Sequence, residues 1–425
     1  VSLVVQKFGG SSVADAESIR RVARRIVDTY NQGNQVVVIV SAMGDTTDDL
    51  IDLARSVTPR PRAREMDILL TAGERISMAL LAMAISDLGV PANAFTGQQA
   101  GLLTNEIYGK ASIVGVVPER IARTIREGGI AVIAGFQGVN TDSDDVTTLG
   151  RGGSDTTAVA FAAALRADYC EIFSDVDGVF TADPRIAPTA HKQPALTYEE
   201  TLELAAHGTK VLHLRAVEYA RRYRVPLHVR SSFSDKEGTW IVEEKDEKYL
   251  DGKNEAPMIS GIAHDKSQAK ITVAGIPDEP GTAARLFAIV ASADVNIDMI
   301  VQNTPTNAAN SANISFTLPK DDVPAAFSAL EEAQDELKFT KLKSNEGVGI
   351  LSLVGAGMRS HPGVSARLFG ALAEAGINID MISTSEIRIS VVLSENQLDE
   401  AVKVVHTAFN LDSEGEVIVY GGTGR

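Results

Sequence analysis

The sequence predicts an α/β protein with a mostly parallel central sheet, followed by a small βαββαβ unit used twice. Three observations carry this. Apolar strand-like runs alternate with helical patterns up to about residue 240. Several of those runs end in glycine-rich or polar turns, as at the carboxyl edge of a parallel sheet, where ligands sit. The later part of the chain repeats itself. Pro280-Gly281 returns as Pro362-Gly363, Ala284-Arg285-Leu286-Phe287 as Ala366-Arg367-Leu368-Phe369, and Asn296-Ile297-Asp298-Met299-Ile300 as Asn378-Ile379-Asp380-Met381-Ile382, each 82 positions later (362 less 280).

Taken in order, Leu3 to Phe8 reads as a buried strand running into Gly9-Gly10-Ser11-Ser12. The helix after it places Ile19, Val22, Ile26, Val27 and Tyr30 on one face. Gln35 to Val40 is a near-continuous β-branched run, suited to a strand covered on both faces, and Ser41 and Thr47 lie past its end. A long helix is predicted from Arg64 to Leu88. In its small, apolar middle stand Glu74 and Arg75, which as neighbours do not face each other. A carboxylate there needs a partner, either a structural ion pair to another helix or a ligand. Strands follow at Ala92 to Phe95, Ala131 to Ala134 and Leu227 to Arg230, with a helix around Pro118 to Glu127.

The most informative stretch is Leu149 to Gly178. Leu149-Gly150-Arg151-Gly152-Gly153-Ser154-Asp155 gathers flexible glycines, an arginine and an aspartate just before the helical run from Thr156, with Ser154 or Asp155 as the expected N-cap. Backbone N–H groups and the positive end of the helix then suit an anion. Tyr169 to Phe173 reads as a buried strand ending in the polar turn Ser174-Asp175-Val176-Asp177-Gly178. Further on, Lys210 reads as a solvated charge, and His191, His207, His213 and His228, which lack metal-ligand spacing, as structural or surface residues.

With 425 residues, 44% of them hydrophobic, the chain is long enough for two to four domains and a sizeable core. Its formal charge of −16, with no basic run, argues against nucleic acid or an anionic membrane as partner and favours small molecules. The single cysteine, Cys170, excludes an intrachain disulfide, and the Cys/His pattern shows no zinc site; a reducing cytoplasm is the expected location. No apolar run reaches ~18 residues and no export signal is recognised. Residues 246–257 form a charged, turn-rich segment that reads as a linker.

Three segments then become recognisable. Lys7-Phe8-Gly9-Gly10-Ser11-Ser12, Thr148-Leu149-Gly150-Arg151-Gly152-Gly153-Ser154-Asp155 and the run from Ser174 through Phe180 and Asp183 to Arg185 resemble, in this order, the signature segments of the aspartate kinases. The tandem repeat is similar to the paired ACT domains of their feedback-regulated members. The resemblance implies an amino-acid-kinase catalytic domain over 1–245, a first ACT region over 258–340 and a second over 341–425. The strand near 258–263 is free to pack with the second.

The resemblance further implies ATP-dependent phosphorylation of the β-carboxylate of L-aspartate, with Mg²⁺ arriving with ATP and no tightly bound prosthetic group. The reaction opens lysine, threonine, methionine and diaminopimelate synthesis. Lys7, Asp155 and Lys210 would be catalytic. Ser41, Thr47, Glu74, Phe136, Arg151, Gly153 and Ser154 would bind aspartate, Glu74 facing its ammonium and Arg151 its α-carboxylate. Lys7, Phe8, Gly9, Gly10, Ser174, Asp175, Phe180, Asp183, Arg185 and Lys210 would line the nucleotide. Many members carry tyrosine where Phe180 stands.

Lysine and threonine are the implied effectors, bound where ACT units of different chains pair. The assembly would be a homo-oligomer, or an α2β2 form with an ACT-only subunit started internally near Met258. The repeated Pro-Gly turns open helices whose free N–H groups suit an α-carboxylate, and Asp278, Asp298, Asp380 or Glu386 suit an ammonium. The expected effector residues are Asp278, Gly281, Ala283, Asn296, Asp298 and Gln302 in the first copy, and Val364, Ser365, Asn378, Ile379, Ser385 and Glu386 in the second. Two readings compete: another carboxylate kinase of the same fold, and a non-catalytic amino-acid sensor.

Overall fold

The structure, a computed structural model, describes every residue except 245, 247–257, 306–309, 357, 359–360 and 421–425. The charged segment read as a linker therefore lies almost wholly outside the described residues. The first part of the chain runs β1 (Leu3–Phe8), α1 (Ala16–Asn31), β2 (Gln35–Val40), α2 (Thr46–Val57), α3 (Ala63–Asp87), β3 (Ala92–Phe95), α4 (Gly97–Ala100), β4 (Leu102–Thr104), β5 (Ile113–Val116), α5 (Glu119–Arg126), β6 (Ile130–Ala134), β7 (Gln137–Asn140) and β8 (Val146–Thr148). It continues with α6 (Gly153–Leu165), β9 (Tyr169–Ser174), β10 (Ala195–Thr197), α7 (Tyr198–Ala206), α8 (Leu214–Tyr223), β11 (Leu227–Ser231) and β12 (Thr239–Val242).

Eight of these strands form one sheet in the order β10-β12-β11-β9-β1-β2-β6-β3, parallel throughout except where β11 meets β12. The central strands are buried on both faces, which is why β2 is almost pure valine and isoleucine. Its Val36, Val38 and Val40 pack with Ile26 of α1 and Leu81 and Ile85 of α3. Its Val37 and Ile39 pack on the other side with Ile121 of α5, Val159 of α6 and Val217 of α8. A second sheet, β5-β4-β7-β8, lies beside the first. Among the described helices α3 alone is long and apolar enough to cross a membrane. Here it lies against the main sheet and buries Asp67 and Glu74.

The later part runs β13 (Met258–Asp265), β14 (Gln268–Pro277), α9 (Thr282–Ser292), β15 (Ile300–Asn303), β16 (Ser311–Pro319), α10 (Val323–Glu332), α11 (Gln334–Leu337), β17 (Lys341–Asn345), β18 (Val348–Ala356), α12 (Val364–Glu374), β19 (Met381–Thr384), β20 (Arg388–Ser394) and α13 (Leu398–Ala408). The first unit closes on itself as β15-β16-β14-β17. The second is β13-β18-β20-β19, with β13 antiparallel to β18. Its sixth element thus comes from before the first unit, so the copies share an architecture and differ in chain order. The repeated Pro-Gly turns do open helices: Gly281 and Gly363 are N-caps at φ 94° and 101°, a conformation glycine adopts without strain.

Candidate active site

The site begins at the carboxyl ends of β1, β2 and β9. Past β8, Gly150 and Gly152 take φ 77° and 71°, and Gly152 is the N-cap of α6 with no side-chain cap. The expectation of Ser154 or Asp155 as N-cap is corrected: two left-handed glycines turn the chain earlier, and both residues lie inside the first helical turn. A side chain at Gly152 is also sterically barred, since a Cβ there would stand 2.2 Å from the His213 ring. Freed from capping, the Asp155 carboxylate reaches Lys7 Nζ at 2.7 Å.

Two cavities meet at this pair. The larger, about 750 Å³, is lined by Lys7, Gly9, Gly10, Ser174, Asp175, Phe180, Asp183, Arg185 and Lys210, which are all the predicted nucleotide residues except Phe8. The smaller, about 590 Å³, is lined by all the predicted substrate residues, Ser41, Thr47, Glu74, Phe136, Arg151, Gly153 and Ser154. Lys7, Gly10, Gly44, Asp155 and His213 border both. Gly10 is needed here, because a Cβ would lie 2.9 Å from the carbonyls of Ala42 and Gly44. Phe8 is corrected: on a strand, neighbours point to opposite faces, and its ring is fully buried and stacked on Phe173 with centroids 4.6 Å apart.

On the smaller cavity's wall, Glu74 is 3% exposed while the adjacent Arg75 is exposed. Glu74 Oε1 accepts a hydrogen bond from the Ala42 N–H at 3.2 Å, and Oε2 has no hydrogen-bond partner among the described residues. Among the described residues Glu74 forms no ion pair to a neighbouring helix. Burial pushes the carboxyl up to about 8. A buried carboxylate oxygen facing a cavity with nothing to hold is suited to a ligand cation. Arg151, on the lining of the same cavity, is exposed, and Phe136 sits at φ 73° with its carbonyl accepting from Leu149 N–H at 2.9 Å.

In the larger cavity Arg185 holds Asp175 at 2.9 Å and Asp183 at 3.6 Å. Lys210 is exposed on the loop between α7 and α8. That loop is pressed onto the second repeat unit: a Cβ on Gly208 (φ 118°) would lie 1.9 Å from the His264 carbonyl of β13. Among the described residues no group of three or more His, Cys, Asp or Glu side chains is placed to hold a metal ion.

Several lining residues escape sequence reasoning. His213 stands at the seam of both cavities, where the absence of metal spacing had suggested a bland role. Asp67, 1% exposed and seven residues before Glu74 on the same helix face, accepts from Gly109 N–H (2.9 Å), Thr148 N–H (2.9 Å) and Thr148 Oγ1 (2.8 Å). Ile262, His264 and Tyr420, all from the later part of the chain, line the larger cavity. A carboxylate at i and i+7 on one face was a readable signal; the last three depend on tertiary packing.

The predicted effector residues are not collected in one place within the chain. The crevice between the two repeat units, about 440 Å³, is lined by Asp380 and otherwise by other residues, among them Lys270, Thr272, Asn303, Asn313 and Lys343. Of the carboxylates proposed for an ammonium, Asp380 already pairs with Lys270. Asp298 points to His207 of the first domain at 3.8 Å, and Asp278 accepts from Thr304 Oγ1 at 3.4 Å. Gln302 is exposed on β15.

Residues 2–231 match the amino acid kinase family, and residues 271–334 and 351–409 match the ACT domain. An aspartokinase of Mycolicibacterium smegmatis is 59% identical and one of Corynebacterium glutamicum 56% identical, each over the full length of both chains. Among solved structures, E. coli aspartokinase III in complex with aspartate and ADP aligns over 96% of this chain and 100% of that one with a TM-score of 0.82. At 24% identity it speaks for the fold alone. The aspartate kinase from Synechocystis is 42% identical, covering 97% of this chain and 70% of that one, with a TM-score of 0.54. Fold and site together define an amino acid kinase joined to a pair of ACT units. The chain belongs to the aspartokinase family.

Proposed function

We propose that this chain transfers the γ-phosphoryl group of Mg-ATP to the β-carboxylate of L-aspartate, giving 4-phospho-L-aspartate and ADP. The observation that carries this is the Lys7–Asp155 pair at the seam of two cavities, one with two lysines and glycine backbone, the other with an unpartnered buried carboxylate oxygen at Glu74. Glu74 takes the ammonium of aspartate and Arg151 its α-carboxylate, which leaves the β-carboxylate directed at the seam. That carboxylate has an ordinary pKa of about 3.9, so it is already ionised near neutral pH and the reaction needs no general base. Lys7 and Lys210, together with Mg²⁺ on the nucleotide, neutralise charge on the group in transit, and Asp155 holds Lys7 in place.

We further propose the first step of lysine, threonine and methionine synthesis as its place, with lysine and threonine as feedback effectors. The repeated helix N-termini at Gly281 and Gly363 support an amino-acid-binding role for the ACT pair, completed by a second chain. The test is ADP release with and without L-aspartate, beside glutamate, acetylglutamate and UMP as alternative acceptors. Release that depends on aspartate supports the reading. Release with another acceptor moves the chain to a different carboxylate or nucleotide kinase, and no release with any of them leaves a sensor.

A further inference from the structure

We propose that the segment following α13, residues 411–420, is a working part of the nucleotide site: it straps the rim of the larger cavity, and Tyr420 forms one of its walls. The segment forms no helix or strand of its own. It is held instead by main-chain bonds to the loops that flank the nucleotide residues: Ser413 N–H to the Thr189 carbonyl (2.7 Å), Val417 N–H to the Pro188 carbonyl (2.7 Å) and Tyr420 N–H to the Asp175 carbonyl (2.9 Å). At its root, Asp412 Oδ1 accepts from Thr189 Oγ1 (2.7 Å) and meets His406 Nδ1 at 2.9 Å. His406, fully buried on α13, meets Thr181 Oγ1 through Nε2 at 2.7 Å. Thr181 stands between Phe180 and Ala182, two residues of the cavity wall.

At its far end the Tyr420 ring lies parallel to that of Phe233 (centroids 6.0 Å apart, 9° between planes), and Phe233 packs under the Arg21 guanidinium at 4.3 Å. Tyr420 Oη is 3.4 Å from Asp177 Oδ2, which also holds Lys236 at 3.2 Å. The cavity is therefore polarised. Lys7, Lys210 and the glycine backbone make an end for phosphates, while Phe180, Phe233 and Tyr420 offer aromatic surface to the nucleoside. Since the strap leaves the second ACT unit at α13, it ties that unit to the nucleotide side of the site.

This inference rests on the kinase reading and is tested in the full chain by Tyr420→Ala, Tyr420→Phe and Val417→Pro, the last removing the N–H that bonds Pro188. ADP and ATP affinity is read by calorimetry, and KM for ATP and for aspartate by turnover. Tyr420→Ala and Val417→Pro are expected to weaken nucleotide binding and raise the KM for ATP by roughly 5- to 20-fold, with the KM for aspartate within about twofold. Tyr420→Phe, which keeps the ring, restores most of the nucleotide affinity. Nucleotide binding by Tyr420→Ala that equals or exceeds wild type, or equal rises in both KM values, overturns the proposal. A wild-type chain that binds nucleotide but never consumes ATP defeats the kinase reading instead, leaving the calorimetric comparison intact.

Discussion

Lys7, at the end of the central strand β1, and Asp155, in the first turn of α6, face each other across 2.7 Å at the junction of the two cavities. With side chains 13% and 5% exposed, the pair is nearly dry, so its charges act strongly on anything brought between the cavities. Lys7→Ala is expected to lower kcat by about 10²- to 10³-fold, the usual cost of removing such an electrostatic group, with little change in aspartate binding. It also leaves Asp155 as an unpaired buried charge, so the midpoint of thermal unfolding should fall. Near-normal turnover would remove Lys7 from the mechanism.

Glu74 is expected to make substrate binding proton-linked. Burial raises its carboxyl to about 8 from an ordinary 4.5, so between those values the empty folded protein holds a proton that the unfolded chain has released. The sign follows: stability of the ligand-free protein falls as pH rises through that window. An aspartate ammonium favours the ionised form, so binding near pH 7 should release about one proton per site. Calorimetry in buffers of different ionisation enthalpy measures this. Glu74→Gln should abolish the release and raise the KM for aspartate far more than that for ATP.

Asp67 ties the helix that carries Glu74 to the end of β8, just before Arg151. From the helix that carries Glu74 it ties down Gly109 and Thr148, the latter three residues before Arg151. Asp67→Ala leaves the buried Thr148 N–H unsatisfied, at about 1–3 kcal/mol, and frees the partly buried Gly109 N–H, and should raise the KM for aspartate tenfold or more with little effect on that for ATP. In Asp67→Asn the amide oxygen still accepts both N–H bonds and the amide nitrogen donates to Thr148 Oγ1, so steady-state kinetics should recover most of the loss.

For regulation, inhibition requires that effectors favour an inactive arrangement. Gln302→Ala or Asn378→Ala should keep most of the uninhibited rate yet resist lysine plus threonine. Wild-type activity indifferent to millimolar amounts of both amino acids, singly and together, would remove the effector assignment.

The sequence made the main sheet legible because burial on both faces writes itself as runs such as Gln35 to Val40, and the turn at Gly9 marks where the chain leaves β1. The side of each cavity was readable wherever an odd residue stood in an apolar context, as Glu74 does. What stayed hidden was set by packing between distant segments. The left-handed pair Gly150 and Gly152 moved the start of α6, strand alternation turned Phe8 into the core, and β13 closed the edge of the second unit out of chain order. His264 and Tyr420 reach the larger cavity from beyond residue 257, a proximity no local pattern encodes.

The central claim is that the seam at Lys7 delivers phosphate to a carboxylate. An acyl phosphate reacts with hydroxylamine to give a hydroxamate, so incubation with Mg-ATP, L-aspartate and hydroxylamine tests the claim directly. We predict the β-hydroxamate of aspartate in amounts equal to the ADP formed, and none from Lys7→Ala. ADP formed without hydroxamate, or hydroxamate at the α-carboxyl, would contradict the account.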